Sequence, residues 1–144
     1  MGTVSITKEF SFEMAHALTG NSGECANIHG HSYKLFVTVK GKIVSEKNHP
    51  SNGMIIDFSE LKKLVYKSVV EEFDHALVIR KSGGIFSDLK KHKLKIVVTP
   101  FQPTCENLLL EFAMRIKKDL PKNILLVRLK LQETPTSSAE WNGE

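Results

Sequence analysis

The chain is poor in cysteine and lacks both a long apolar run and a leader-like N-terminus. Its 144 residues include only two cysteines, Cys25 and Cys105, which are too few for a disulfide framework. No apolar stretch approaches the roughly 18 residues that a membrane-spanning helix requires, and the N-terminus does not resemble a signal peptide. These absences argue against a secreted or membrane protein, and we expect a cytoplasmic protein with no membrane partner.

Basic residues are in slight excess, but they do not form a nucleic-acid-binding tract. Lysine and arginine number 20 against 16 acidic residues, which gives a formal net charge of +4. The lysines are spread in single positions and short pairs, without an aromatic-rich basic segment. We therefore predict a solvated surface and no nucleic-acid partner, with attraction for an anionic ligand as the alternative interpretation of the charge. Residues 1–144 show no linker or repeat and are predicted to form a single globular domain.

The segment from Cys25 to His31 contains two histidines that stand two residues apart. The residues that follow, 32–40, alternate apolar and polar side chains as a half-buried strand does. His29 and His31 share the odd parity of the apolar positions, so both imidazoles are expected on the buried side of the strand. Burying two polar rings is costly unless they are satisfied together, and a divalent metal ion would do so. Two ordinary histidines are the alternative at this point.

A third histidine ends the first predicted strand. Apolar even positions between Val4 and Met14 share one face, interrupted by Lys8, and His16 continues their parity. Three histidines at the ends of the inward-facing rows of these two strands would form a His₃ site. Such a site leaves a fourth zinc position for water or substrate, which is typical of catalytic rather than structural zinc.

The middle of the chain predicts a helix with one apolar face. Asp57 followed by Glu60 resembles a capping box at the helix start. Apolar residues then recur at helical spacing from Phe58 to Phe73. The helix is expected to end just before Asp74 and His75.

The remaining segments complete the predicted order ββαβαβ. A surface excursion is expected over 80–93, a strand over 94–99, and a second helix that Thr104 caps. A last strand over 125–131 continues its inward parity to Glu133. This order predicts an α+β fold with an antiparallel sheet under two helices.

Six short motifs carry a resemblance that spans nearly the whole chain. They are Phe12-Glu-Met-Ala-His16, Cys25-x-x-x-His29-Gly-His31, Ile56-Asp57-Phe58, Asp74-His75, Pro103-Thr-x-Glu106-Asn107 and Glu133-Thr134. In these motifs and their order the chain resembles the 6-pyruvoyltetrahydropterin synthase family. The three-residue gap between Cys25 and His29 is similar to the branch that forms 6-carboxytetrahydropterin. In the pyruvoyl-forming branch, the cysteine usually stands further ahead of the histidines.

The resemblance implies a fold and an assembly. Family members have the tunnelling fold, in which each subunit gives a four-stranded antiparallel sheet with two helices on one face. Trimers close their sheets into a barrel, and two barrels stack as a hexamer with active sites between subunits. The resemblance thus implies a homohexamer, a dimer of trimers, in which barrel closure would also remove the open sheet edges.

The resemblance also implies a reaction and a metal. The substrate of this branch is 7,8-dihydroneopterin triphosphate, which is converted to 6-carboxy-5,6,7,8-tetrahydropterin with release of acetaldehyde and triphosphate in queuosine and 7-deazapurine biosynthesis. His16, His29 and His31 match the family's zinc ligands. Zn²⁺ would bind the side-chain hydroxyls of the substrate and act as a Lewis acid. The chain thus looks like a zinc-dependent lyase.

Cys25, Asp74 and His75 match the family's catalytic positions. Cys25 stands where the family carries its proton acceptor, and a nearby dication or imidazolium can lower a thiol pKa from its usual value of about 8.5. The alternative is that Cys25 is a fourth zinc ligand in a closed structural site. His75 would relay protons to and from the thiol. Asp74 would pair with it or only cap or orient the end of the helix.

Glu133, Glu106 and Thr104 match positions linked to the pterin. A carboxylate at Glu133 can accept two parallel hydrogen bonds from the 2-amino and ring N–H edge of a pterin. The family also assigns this position to proton relay, and a solvated glutamate beyond a strand end is the ordinary alternative. Glu106 and Thr104 fit pterin recognition, although capping alone would explain Thr104. Cys105 departs mildly from the family pattern and is assigned no role.

Two other functions stay open from the sequence. One is the pyruvoyl-forming synthase of biopterin synthesis, which eliminates triphosphate from the same substrate. The other is a catalytically idle zinc-binding scaffold. Cys25, His75 and Glu133 argue against the scaffold, because a scaffold needs none of them.

Overall fold

Six strands and two long helices lie within residues 2–19, 27–81 and 88–143, which are the residues that this computed structural model describes. The strands are β1 (Thr3–His16), β2 (His29–Lys42), β3 (Ala76–Arg80), β4 (Ile96–Thr99), β5 (Leu125–Thr134) and β6 (Ser137–Trp141). They form one sheet in the order β4-β3-β1-β2-β5-β6. No helix within the described ranges is long and apolar enough to cross a membrane.

The long antiparallel pair β1–β2 is the centre of the sheet. Its register runs without a break from Thr3 opposite Lys42 to His16 opposite His29. The predicted inward parity is confirmed along β2, where the apolar odd positions are fully buried, and along the second half of β1. Val4, near the start of β1, is 40% exposed, so the predicted inward face is not buried over its whole length.

The predicted α+β class is confirmed, but the prediction of a four-stranded, wholly antiparallel sheet is wrong in the number of strands and in the direction of two of them. The sheet has six strands, and β3 runs parallel to β1 while β4 runs parallel to β3. A helix carries the chain from the antiparallel pair back to β3, and such a crossover returns a strand in the parallel direction. The alternation that marks a half-buried strand is absent from β3, since Val78 and Ile79 are both buried. The last strand, β6, is short and contains no β-branched residue, so its sequence signal was weak.

The first helix, α1, covers the inward face of the sheet. It comprises the α-helical Phe58–Val65, a π-helical turn at Tyr66–Val70 and a last α-helical turn at Glu71–Phe73. Asp57 caps it, because its carboxylate accepts the Ser59 N–H at 2.6 Å. The predicted apolar face begins only at Leu61. Phe58 is 52% exposed and lies outside the core, beside the ammonium of Lys8.

The second helix, α2 (Cys105–Asp119), packs beside α1 on the same face. An aromatic cluster joins both helices to the sheet. The ring centroid of Phe112 lies 4.9 Å from that of Phe73 on α1 and 6.1 Å from that of Phe12 on β1. The opposite face of the sheet carries mainly polar and charged side chains, so the hydrophobic core lies on one face of the sheet, under the helices. The helices thus lie on one face, as predicted.

Candidate functional site

The three predicted metal ligands meet where β1 ends and β2 begins. The β1–β2 register places His16 opposite His29 and Met14 opposite His31. One ring nitrogen of each histidine lies within 4.8 Å of the corresponding nitrogens of the other two. His16 is only 3% exposed, whereas the other two are partly buried at the mouth of the strands. The parity prediction for these three side chains therefore agrees with the structure.

Backbone carbonyls set the proton positions on two of these rings. The Nδ1 atom of His16 lies 2.7 Å from the carbonyl oxygen of Pro103, and the Nδ1 atom of His29 lies 2.7 Å from that of Asn27. A carbonyl can only accept, so both Nδ1 atoms carry hydrogen, and in the neutral rings both Nε2 atoms are left as lone-pair acceptors. These two Nε2 atoms face each other at 3.1 Å. Two bare lone pairs at this distance repel each other, and either a proton shared between them or a metal ion beside them relieves the repulsion.

The donor set fits zinc. Two Zn–N bonds of about 2.0–2.1 Å in a tetrahedron place their nitrogens roughly 3.3 Å apart, close to the observed separation of 3.1 Å. Carbonyl acceptors on the remote nitrogen are the usual outer partners of metal-binding histidines. Burial lowers the pKa of His16, and the carbonyl of Pro103 and the charge of Glu133 only partly offset this. The neutral imidazole that metal binding requires is therefore favoured.

Glu133 and Tyr33 adjoin the histidines. Glu133 Oε1 lies 3.4 Å from His16 Nε2 and 3.6 Å from His31 Nε2. The register of β2 with β5, which pairs Lys34 with Gln132, brings Tyr33 level with Glu133. The Tyr33 hydroxyl donates to Glu133 Oε1 at 3.0 Å. Burial and the nearby carboxylate raise the pKa of Tyr33, so the phenol stays protonated and acts as a donor.

Asp74 and His75 form a separate corner between α1 and β3. The Asp74 carboxylate accepts the Glu13 N–H at 2.9 Å and lies 3.0 Å from His75 Nδ1. Burial alone would raise the pKa of Asp74, but the Glu13 N–H and the His75 ring lower it overall. His75 has a φ of 62°, a left-handed conformation that costs a non-glycine residue on the order of 1 kcal/mol.

The corner and the histidine cluster share a cavity but do not touch. The His75 side chain is 76% exposed, and no hydrogen bond, ion pair or ring contact among the described residues joins it to the three clustered histidines. A cavity of about 480 Å³ is lined by both His31 and His75, with Glu13, Ser32 and Lys95 among its other walls. This volume falls in the range of small-molecule sites.

Other predicted site residues lie elsewhere. The Thr104 hydroxyl accepts the Asn107 N–H at 3.2 Å, so it caps α2 as the ordinary alternative anticipated. Glu106 is exposed in the first turn of α2 and lines a different cavity with Ala139 and Trp141, so the structure does not bring it to the histidines. Cys25 lies outside the described residues.

Sequence reasoning missed three contributors to the site. Tyr33 had a signal, since it shares the odd parity of His29 and His31 and lies two residues beyond them. The carbonyls of Pro103 and Asn27 had none, because a backbone acceptor is not encoded by residue type. Burial and the charge of Glu133 raise the pKa of Cys105 to about 12, and its thiol donates to the backbone carbonyl of Leu131.

The fold and the site together define an α+β protein with three histidines arranged as a candidate metal centre beside a ligand-sized cavity. Residues 5–144 match the family model described as 6-pyruvoyl tetrahydropterin synthase. The chain belongs to this family.

Individual relatives agree with this placement. The chain is 38% identical over 140 residues to 6-carboxy-5,6,7,8-tetrahydropterin synthase of Haemophilus influenzae, covering 94% of this chain and 96% of that protein. It is 34% identical over 164 residues to the protein of the same name from Aquifex aeolicus, covering 96% and 98%. The structure of Caenorhabditis elegans 6-pyruvoyl tetrahydropterin synthase superimposes with a TM-score of 0.71 at 24% identity over 100% of this chain and 98% of that one. This likeness shows the tunnelling fold, with six strands rather than the predicted four.

Proposed function

We propose that this protein converts 7,8-dihydroneopterin triphosphate to 6-carboxy-5,6,7,8-tetrahydropterin, with release of acetaldehyde and triphosphate. The carrying observation is the histidine cluster, whose ligand nitrogens lie within 4.8 Å of one another with Glu133 beside them. The identity to proteins named 6-carboxy-5,6,7,8-tetrahydropterin synthase supports this product over 6-pyruvoyltetrahydropterin. The short gap between Cys25 and His29 supports it as well. The proposal places the reaction in queuosine and 7-deazapurine biosynthesis in the cytoplasm.

His16, His29 and His31 would hold Zn²⁺. When bound, zinc supplies a Lewis acid for the side-chain hydroxyls of the pterin. The chain's own contribution is to orient the ligands. The carbonyls of Pro103 and Asn27 keep the two Nε2 lone pairs directed inward.

Glu133 would receive the pterin. Its carboxylate can accept hydrogen bonds from the amino and ring N–H edge of the heterocycle. The Tyr33 hydroxyl holds Oε1 at 3.0 Å and limits the freedom of the carboxylate. A carboxylate held in this way has lost part of its conformational entropy before the substrate binds. Glu106 and Thr104 remain proposed pterin contacts.

Cys25, His75 and Asp74 would move protons. A Cys25 thiolate would remove a carbon-bound proton from the substrate, and His75 would exchange protons with the thiol. Asp74 faces His75 Nδ1 at 3.0 Å, which keeps hydrogen on Nδ1 and leaves Nε2 as the exchanging atom. Because His75 stands apart from the histidine cluster of its own chain, we propose that neighbouring subunits complete the site.

The proposed assembly is a homohexamer, a dimer of trimers. Two features of the single chain support it. The sheet ends in two edge strands, β4 and β6, which lack an outer partner within the described residues. Leu110 and Met114 are 56% and 60% exposed on α2, away from the core. Light scattering is expected to report a hexamer, and an active monomer at micromolar concentration would contradict both the assembly and the shared site.

Product identification tests the reaction. Zinc-loaded protein should be incubated with 7,8-dihydroneopterin triphosphate and the products analysed by mass spectrometry. We expect 6-carboxytetrahydropterin and acetaldehyde in equal amounts, and no product after strong chelation. Formation of 6-pyruvoyltetrahydropterin without acetaldehyde would identify the alternative synthase. Intact substrate with zinc bound would identify the scaffold.

A further inference from the structure

The peptide unit between Asp74 and His75 is held at both of its polar ends. Its N–H, which belongs to His75, donates to the carbonyl of Glu13 on β1 at 2.6 Å. Its carbonyl, which belongs to Asp74, accepts from the ammonium of Lys95 at 2.6 Å. Two hydrogen bonds from opposite directions leave the peptide plane one orientation, and that orientation determines both ψ of Asp74 and φ of His75.

This orientation is one that the local sequence does not favour. His75 has φ 62°, in the left-handed region that residues with a Cβ rarely enter. Such a backbone persists only where the surroundings over-determine it. Glu13 supplies one restraint through its backbone N–H and carbonyl, and Lys95 supplies the other.

Lys95 is well placed for this role by its own backbone. It stands directly before β4, and its carbonyl accepts the Leu77 N–H at 2.9 Å, which ties it to the start of β3. Its ammonium also donates at 2.8 Å to the carbonyl of Glu71 in the last turn of α1, so the side chain is held by two carbonyls. A cation at this end of a helix satisfies orphan carbonyls and interacts favourably with the helix dipole.

We propose that Lys95 is a positioning residue for His75: by binding the Asp74 and Glu71 carbonyls it holds the end of α1 so that the His75 imidazole faces the shared cavity. The inference rests on the proposed function, in which His75 transfers protons. Lys95 itself need not touch the substrate. It acts through the peptide that it orients, and the Asp74 carboxylate then orients the ring at 3.0 Å.

The test compares Lys95→Met with Lys93→Met. Lys93 is exposed two residues earlier on the same segment and makes no hydrogen bond or ion pair among the described residues. Displacing a catalytic group by about 1 Å can cost up to roughly a hundredfold in rate. We expect Lys95→Met to lower kcat about tenfold while KM and zinc content stay near those of the parent and the melting temperature falls only slightly, through the lost contacts at the helix end. Lys93→Met should leave kcat unchanged, and Lys95→Arg, which can still donate to two carbonyls, should recover most of the loss.

A double-mutant cycle separates positioning from other roles. In a His75→Ala background, Lys95→Met should cause no further loss, because its effect passes through the missing ring. An equal tenfold loss in both backgrounds would overturn the inference, as would parent-like kcat in Lys95→Met.

A structural readout keeps the inference testable without turnover. If the parent does not form 6-carboxytetrahydropterin, the proposed function fails, but the positioning of His75 can still be measured. A crystal structure of Lys95→Met is expected to show the Asp74–His75 peptide rotated and His75 out of the left-handed region. An unchanged φ of His75 in that structure would overturn the inference.

Discussion

The histidine cluster and the Asp74–His75 corner both adjoin the end of β1, yet they are built in opposite ways. The cluster uses regular strand backbone, and two of its members face each other across the β1–β2 register. The corner uses a left-handed residue that joins a helix end to β1 through Glu13. The alternation of side chains along the strands therefore positions the histidine cluster, whereas contacts between distant segments position the Asp74–His75 corner.

Burial separates the two groups as sharply as backbone conformation does. His16 is 3% exposed, and the His75 side chain is 76% exposed. A buried lone pair needs a permanent partner, which suits a metal ligand. An exposed imidazole near a cavity can gain and lose a proton, which suits proton transfer. The difference in burial matches the two tasks that we propose for these histidines, metal binding for His16 and proton transfer for His75.

Removing a ligand from the cluster should have the largest effect. His31→Ala leaves two of the three proposed ligands, so we expect zinc to be lost or bound at least about a hundredfold more weakly, since even outer partners are worth 10–100-fold. Turnover should fall with zinc content. His49→Ala is the matched control, because His49 lies in an exposed turn where it accepts the Ser51 N–H. Full zinc occupancy and normal turnover in His31→Ala, measured by metal analysis and product formation, would refute the site.

Replacing Cys25 tests the proton acceptor that would link the two groups. Cys25→Ala should keep zinc and the parent melting temperature while losing roughly a hundred- to ten-thousand-fold in turnover. Cys105→Ala is the matched control, because burial and Glu133 hold the pKa of that thiol at about 12 and keep it out of proton transfer.

Other results for Cys25→Ala decide between its alternatives. Loss of zinc together with a lower melting temperature would identify Cys25 as a structural ligand, since structural zinc contributes to folding directly. Retained zinc with near-parent turnover would leave Cys25 without either role.

The smallest expected effect is that of Asp74→Asn on the free energy of unfolding. The pKa of Asp74 is lowered in the folded protein, so ionised Asp74 stabilises the fold at neutral pH. This contribution is complete above the unfolded-state pKa of about 3.9. It is lost as pH falls through the lower folded-state pKa. Urea unfolding between pH 2.5 and 7 should show Asp74→Asn less stable than the parent at neutral pH and equally stable at the acid end.

Zinc content is the control for that experiment. Asp74→Asn should bind zinc as the parent does, because the corner makes no contact with the cluster among the described residues. A stability difference between Asp74→Asn and the parent that is the same at every pH would contradict the lowered pKa. Loss of zinc would contradict the independence of the two groups.

Much of the cluster could be predicted from the sequence, and little of the corner could. His16, His29 and His31 each extend the parity of apolar neighbours, and so does Glu133. The same rule failed at β3, where burial on both faces removes the alternation. It also failed at Phe58, which has helical spacing but is 52% exposed beside the ammonium of Lys8.

The sequence by itself determined which faces of β1, β2 and the two helices are buried, because apolar periodicity follows directly from residue order. It thereby also determined that three imidazoles point inward. Only the tertiary structure decided the parallel placement of β3 and β4 and the carbonyl partners of His16 and His29. It also decided the left-handed backbone of His75, which Lys95 and Glu13 hold. These features depend on backbone groups of segments far apart in the chain, and every residue carries the same backbone groups, so they emerge only when the segments pack together.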